Sequence, residues 1–229
     1  MQLKSAMKAG RIFLAFGVLE VERCILFDWI NWLESSFFEI WLKRKITHSV
    51  NDNGGVGMAV RQILMLGDAR LHEIAKKVDK RELSEMKSAA TDLHDTMMQF
   101  RQKHGWGRAI AAPQIGVMKR LILICVDQPL VLMNPEITFQ SEELMELWDD
   151  CMSFPDLLVK VKRHKACRVK YRDLDWKEHE MAFDNHMSEL FQHEYDHLDG
   201  ILAVSRAVDG KSFALTCAKE KIRIQPNLT

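Results

Sequence analysis

The sequence predicts an α+β fold in which short, mostly antiparallel strands pack around a central helix that carries an H-E-x-x-H pattern. Three observations predict it: a helical stripe over residues 82–104, a run of short apolar segments separated by turn residues, and a second helical stretch that stops at Asp199-Gly200. Helix, strands, helix is the order expected when helices are segregated from a largely antiparallel sheet. A chain of 229 residues is long enough for one medium domain with its own core and an appendage.

Residues 1–57 read differently from the rest. Aromatic and apolar residues such as Phe27, Trp29, Ile30 and Trp32 are interrupted by Glu20, Glu22, Arg23, Asp28 and Glu34. No stretch therefore reaches the ~20 apolar residues of a membrane span. The acidic residues also fit a mitochondrial presequence poorly. The loop signal Asn51-Asp52-Asn53-Gly54-Gly55 follows, and Met58 opens an ordinary-looking chain. The segment is either a helical, amphipathic extension or the result of a start set upstream of Met58. The domain expected to carry function is 58–229.

From Glu82 to His104, Leu83, Met86, Ala90, Leu93, Met97 and Phe100 recur at spacings of three and four, and Gly105 ends the run. That period places them on one buried face of a helix. Leu121–Val126 reads as a short buried strand. Further strands are expected at Val131–Met133, Glu136–Phe139, Leu157–Val161 and Arg168–Arg172, with Asn134-Pro135 as a turn. The second helix is expected from about Asp184 to Leu198.

Composition narrows the function. Lys+Arg and Asp+Glu balance at 32 each, so no net field recruits nucleic acid. Five scattered cysteines with no CxxC pair argue against a disulfide framework and for a reducing compartment.

The chemistry centres on His193-Glu194-Tyr195-Asp196-His197. Residues four apart share a helix face, so both imidazoles can reach one ion, with Glu194 beside them to move a proton. A catalytic site needs a third protein ligand and an open position. Downstream, Leu198-Asp199-Gly200-Ile201 offers no third histidine, and little chain remains for a distant glutamate. Upstream, Asp149-Asp150-Cys151-Met152-Ser153 presents a cysteine in a polar turn, and a thiolate with two imidazoles suits Fe²⁺, Zn²⁺ or a similar ion.

Three segments together resemble the peptide deformylase family. Gly107-Arg108-Ala109-Ile110-Ala111-Ala112-Pro113-Gln114-Ile115-Gly116 is similar to G-x-G-x-A-A-x-Q-x-G, Asp149–Ser153 to E-G-C-x-S, and Gln192–His197 to Q-H-E-x-D-H. The resemblance covers about Met58 to Ala207. It implies removal of the N-formyl group from the N-terminal methionine of nascent polypeptides, in the cytoplasm or alternatively in a mitochondrion or plastid, with transient ribosome association. It implies one divalent ion held by Cys151, His193 and His197, Fe²⁺ in first place with Zn²⁺, Ni²⁺ or Co²⁺ as substitutes. Glu194 would be general base and then acid, and the Gln114 amide and the Met152 N–H would be oxyanion donors. The substrate groove would be formed by Ala109, Asp150, His186, Glu189 and Leu190.

The sequence departs from the family pattern at Arg108 and Ala109 in the first motif and at Asp149 and Asp150 in the second. His186 and Glu189 also stand where the resemblance implies an apolar pocket for methionine. Glu189 pairs with His186 or with Arg108, or the pocket accepts a more polar group, or both residues face solvent. The alternatives to a working deformylase are an amidohydrolase of the same fold with a shifted substrate and a silent metal-binding protein.

Overall fold

A computed structural model describes residues 60–222. The extension 1–57, and Cys24 within it, lie outside the described residues. The first helix, α1, is Leu83–His104. A 3₁₀ turn at Lys80–Glu82 precedes it, closed by a capping box between Asp79 and Glu82. Gly105 ends it in the left-handed conformation, its N–H bonded to the Arg101 carbonyl. The expected apolar stripe is the buried face.

Eight strands follow the helix: β1 (Ala109–Ala111), β2 (Leu121–Cys125), β3 (Pro129–Gln140), β4 (Leu144–Asp149), β5 (Leu157–His164), β6 (Ala166–Arg172), β7 (Glu178–Asp184) and β8 (Phe213–Leu215). They form a five-stranded sheet in the order β1-β2-β3-β6-β7 and a three-stranded sheet in the order β4-β5-β8, with every named pair antiparallel. The second helix, α2, is Asn185–Leu198 and packs against β1, β2, β5 and β7.

Strand β2 shows why this arrangement closes. Its five residues are all buried. Side chains alternate across a strand, so Leu121, Leu123 and Cys125 join the cluster under α1, and Ile122 and Ile124 join the cluster with Phe191 and Leu198 of α2. The sheet is thus covered on both faces, with α2 on the face that presents Ile122 and Ile124.

Two expectations need correction. Val131–Met133 and Glu136–Phe139 are one strand, β3, that runs through Asn134-Pro135. Proline lacks an N–H, which would break a ladder. The register shifts between Met133 and Glu136 and Asn134 takes φ 48°, so the irregularity absorbs the missing donor. The Asn134 side chain is used as well: it accepts from Val78 N at 2.7 Å and donates to Val78 O at 2.9 Å. Val126, expected in β2, lies outside it and is exposed.

The end of α2 is pressed against the segment before α1. Ala75 N donates to Leu198 O at 2.8 Å. Gly200 has φ +69°, and a Cβ there would meet the His72 carbonyl oxygen at 2.5 Å. Only glycine fits both the backbone angle and the space.

Candidate metal centre

Helix α2 projects His193 and His197 from one face, their ring centroids 5.0 Å apart. Cys151 sits in the turn that leaves β4, only 2% exposed, so the polar turn read from sequence is buried. Its Sγ lies 3.3 Å from His197 Nε2. One ligand atom from each of Cys151, His193 and His197 lies within 4.8 Å of the others. This set of one thiolate and two imidazoles is the sulfur–nitrogen chemistry that borderline-soft divalent ions take. Two buried atoms beside it, Glu194 Oε2 and His197 Nδ1, lack a hydrogen-bond partner among the described residues. Buried polar atoms are rarely left so, and the Glu194 oxygen suits a reacting water. The residues present fit a bound ion.

A chain of charges fixes His193. Its Nδ1 is 2.9 Å from Asp149 Oδ1, leaving Nε2 for an ion. Asp149 also accepts from Arg163 Nη2 at 3.0 Å, and Arg163 Nη1 bonds Asp196. Asp196 in turn takes two bonds from Arg206, each 2.6 Å. Such a partner sets the tautomer and the aim of a ligating imidazole. Sequence reasoning missed Arg163 and Arg206. The available signal was Val159, Val161 and Arg163, which share one inward face of β5 and are all buried.

The electrostatics follow from burial and these pairs. Burial alone would raise Asp149, but His193 and Arg163 hold it down at about 2. Burial alone would lower His193, yet Asp149 and Cys151 lift it well above the usual imidazole value. A cation at the same atoms competes with that proton. His197 is pushed well below the usual value by burial and by its neighbour His193. Glu194 is pushed up to about 7, first by burial and further by Asp149 and Glu189, against the pull of His193. That value suits a group that both takes and returns a proton near neutrality.

Gln114 is fully buried, in a 3₁₀ turn at Ala112–Ile115. Its Oε1 accepts from Ala111 N at 2.9 Å, which turns the amide so that Nε2 points to Ser153 Oγ at 3.2 Å and Cys151 Sγ at 3.6 Å. Met152 follows Cys151 and packs near Gly107, whose φ of +131° brings the chain close.

A cleft of about 710 Å³ opens onto this centre, and Cys151, His193, Glu194, Gln114 and Met152 all line it. Ala109, Asp150, His186, Glu189 and Leu190 line the same cleft, whereas His197 is buried and is not part of its lining. Arg108, Trp148 and Lys219 also contribute. Of the readings for Glu189, pairing with Arg108 is the one found, at 2.8 Å, with Glu189 buried. Solvent exposure holds for His186 alone. No helix among the described residues is long and apolar enough to cross a membrane.

A family model described as Polypeptide deformylase matches residues 60–213. The chain is 38% identical over 151 residues to a peptide deformylase of Dictyoglomus thermophilum, covering 66% of this chain and 94% of that one. It is 34% identical over 156 residues to a peptide deformylase of Brachyspira hyodysenteriae, covering 64% of this chain and 80% of that one. Among solved structures it is similar to the class I type b peptide deformylase from Acinetobacter baumannii with Met-Ala-Ser bound, at TM-score 0.61 and 31% identity over 66% of this chain and 99% of that chain.

Proposed function

The chain belongs to the peptide deformylase family, and on that premise we propose that Cys151, His193 and His197 hold one divalent ion in a cleft where Glu194 moves the protons of N-formyl hydrolysis. The substrate is the formylated amino terminus of a nascent polypeptide, met in transient association with the ribosome. The observation that carries the residue roles is the buried, unpartnered Glu194 oxygen beside three convergent ligand atoms.

A divalent ion bound there supplies Lewis acidity, which polarises a carbonyl and eases water's loss of a proton near neutral pH. Glu194 takes the proton of the attacking water as the new C–O bond forms. The Gln114 Nε2–H and the Met152 backbone N–H donate to the oxygen that gains charge. Glu194 then delivers its proton to the amide nitrogen, the C–N bond breaks, and formate and a free amine leave. Asp149 keeps the His193 Nδ1 proton in place throughout, so that Nε2 stays aimed at the ion.

The donor set suits Fe²⁺, Zn²⁺, Ni²⁺ or Co²⁺, and we assign Fe²⁺ first, as the family implies. Residues 58–229 form the catalytic unit and 1–57 the extension. The cytoplasm is assigned as the compartment, with a mitochondrion or plastid as the alternative. The test uses the full chain loaded with Fe²⁺ or Ni²⁺, with metal content and formate release from formyl peptides measured together. One ion per chain and a kcat/KM in the ordinary enzyme range of ~10⁴–10⁸ M⁻¹s⁻¹ are expected. A bound ion with no formate from any formyl peptide overturns the reading.

A further inference from the structure

Histidines aside, the charged groups that line the cleft fall into two sets. Most are already committed. Asp149 is taken by His193 and Arg163, and Glu189 by Arg108. Arg101 gives Nε to the Gly107 carbonyl at 2.8 Å and Nη2 to the Cys125 carbonyl at 2.6 Å. Glu194, next in the chain to His193, is reserved for the reacting water. The second set is Asp150 and Lys219, and among the described residues neither makes a side-chain hydrogen bond or an ion pair.

Asp150 follows β4 directly and precedes Cys151, at a position where the E-G-C-x-S pattern has no side chain. It is partly buried. Lys219 reaches the cleft from the far end of the chain. Pairing of Leu158 with Ala214 sets β8 beside β5, and Leu158 lines the cleft. The 3₁₀ turn Thr216–Lys221 that follows β8 leaves Lys219 exposed at the rim. The two are near enough for the Lys219 charge to act on the Asp150 carboxyl, yet they are not bonded. A partly buried carboxylate that accepts no N–H is costly, and an ammonium brings three donors of its own.

An acceptor and a donor placed together match the N–H and C=O of a peptide main chain. A cationic side chain there would be opposed by Lys219 and an anionic one by Asp150, the other charges of the cleft being paired or reserved. The main chain beyond the methionine, unlike its side chains, is the same in almost every nascent polypeptide. Resting on the deformylase reading of this site, we propose that Asp150 and Lys219 grip the residue that follows the formylated methionine. Asp150 accepts from that residue's N–H, and Lys219 donates to its carbonyl oxygen. Both are binding residues and take no part in the bond-breaking step.

The experiment measures kcat/KM of the metal-loaded full chain on three substrates. These are formyl-Met-Ala-Ser, its depsipeptide with an ester oxygen in place of the alanine N–H, and formyl-methionine ethylamide, which keeps that N–H and lacks the next carbonyl. Calorimetric binding of unformylated Met-Ala-Ser and its depsipeptide gives a readout independent of turnover. Amide should be preferred over ester by about tenfold or more in both, as a hydrogen bond to a charged acceptor returns. Asp150→Ala should cut that preference by about fivefold or more, through KM more than kcat, with metal content unchanged. Lys219→Met should cut the preference for formyl-Met-Ala-Ser over the ethylamide several-fold. A merely structural loss would lower all three substrates alike, so ratios unmoved by these variants overturn the proposal, as does a wild type without amide preference. If Asp150→Ala does not fold, as judged by circular dichroism, the Lys219→Met ratio and the wild-type preference decide in the same way. An amide preference in binding without cleavage of any formyl peptide upholds the grip and overturns the deformylase reading instead.

Discussion

Glu194 and Glu189 lie five residues apart on α2 and open onto the same cleft, and burial lifts both carboxyls to about 7. They differ in partners. Glu189 is tied to Arg108, whereas one oxygen of Glu194, which lines the cleft with Cys151 and His193, is without a partner among the described residues. The contrast teaches that a perturbed acid is not by itself an acid–base catalyst. Burial shifts both groups, but only a free oxygen within reach of the reacting atoms can exchange a proton with them.

The largest expected effect breaks that contrast directly. Glu194→Gln should lower kcat by about 10²–10⁴-fold, the usual contribution of a positioned proton-transfer group, while metal content by elemental analysis stays at the wild-type level. Glu189→Gln should not reproduce this loss; if it does, the two roles have been assigned the wrong way round. Next comes Gln114→Ala, which removes a donor to the developing oxyanion and should cost about 10²–10³-fold in kcat. Its KM should change much less, and steady-state kinetics on one formyl peptide separate the two.

The two carboxyls also differ in what can be read from stability, because Glu189 can be changed without touching a ligand. Its folded value, about 7, lies above the ordinary glutamate value of 4.5 that stands for the unfolded chain. The folded form therefore binds the proton more tightly, and stability is lost as pH rises from about 4.5 to about 7, then levels off. At 1.36 kcal/mol per unit, the loss approaches about 3 kcal/mol. Denaturant unfolding across that window should show it in the wild type and not in Glu189→Gln; parallel curves would refute it. The smallest effect belongs to Asp149→Asn, which keeps the shape and loses the charge behind His193. Metal affinity should fall about 10–100-fold, read by competition with a chelator.

How much of this the sequence disclosed depended on whether a residue's neighbours shared its environment. Helix α1 was legible because its apolar residues fall on one face at a regular spacing. The His193–His197 pair was legible for the same reason, since one turn of helix fixes its geometry. Strands β1, β4, β7 and β8 were missed. In β7 a single residue, Phe183, is buried, and the other six are exposed along the edge of the sheet, with Glu178, Glu180 and Asp184 charged. A strand exposed at nearly every position on both faces has no apolar alternation to read. Strand β3 was split at Asn134-Pro135 because local turn chemistry argued for a break, while pairing with β2 and β6 carried the strand through. In the site, the candidate ligands Cys151, His193 and His197 and the candidate donor Gln114 came from their motifs. The network through Arg163, Asp196 and Arg206 did not, because an arginine on a strand reads as solvated until its two carboxylates are brought to it from β4 and α2. The partner of Glu189 was open among several choices for the same reason: Arg108 is 81 positions away along the chain.

The close approach at Gly200 reaches further than its size suggests. Any side chain at that point must shove either the backbone at His72 or the tail of the helix that presents His197, three residues earlier. A stretch with no chemistry of its own thereby serves as a mould for the ligand helix, and its freedom to drift in evolution is bounded by a hydrogen atom's worth of room.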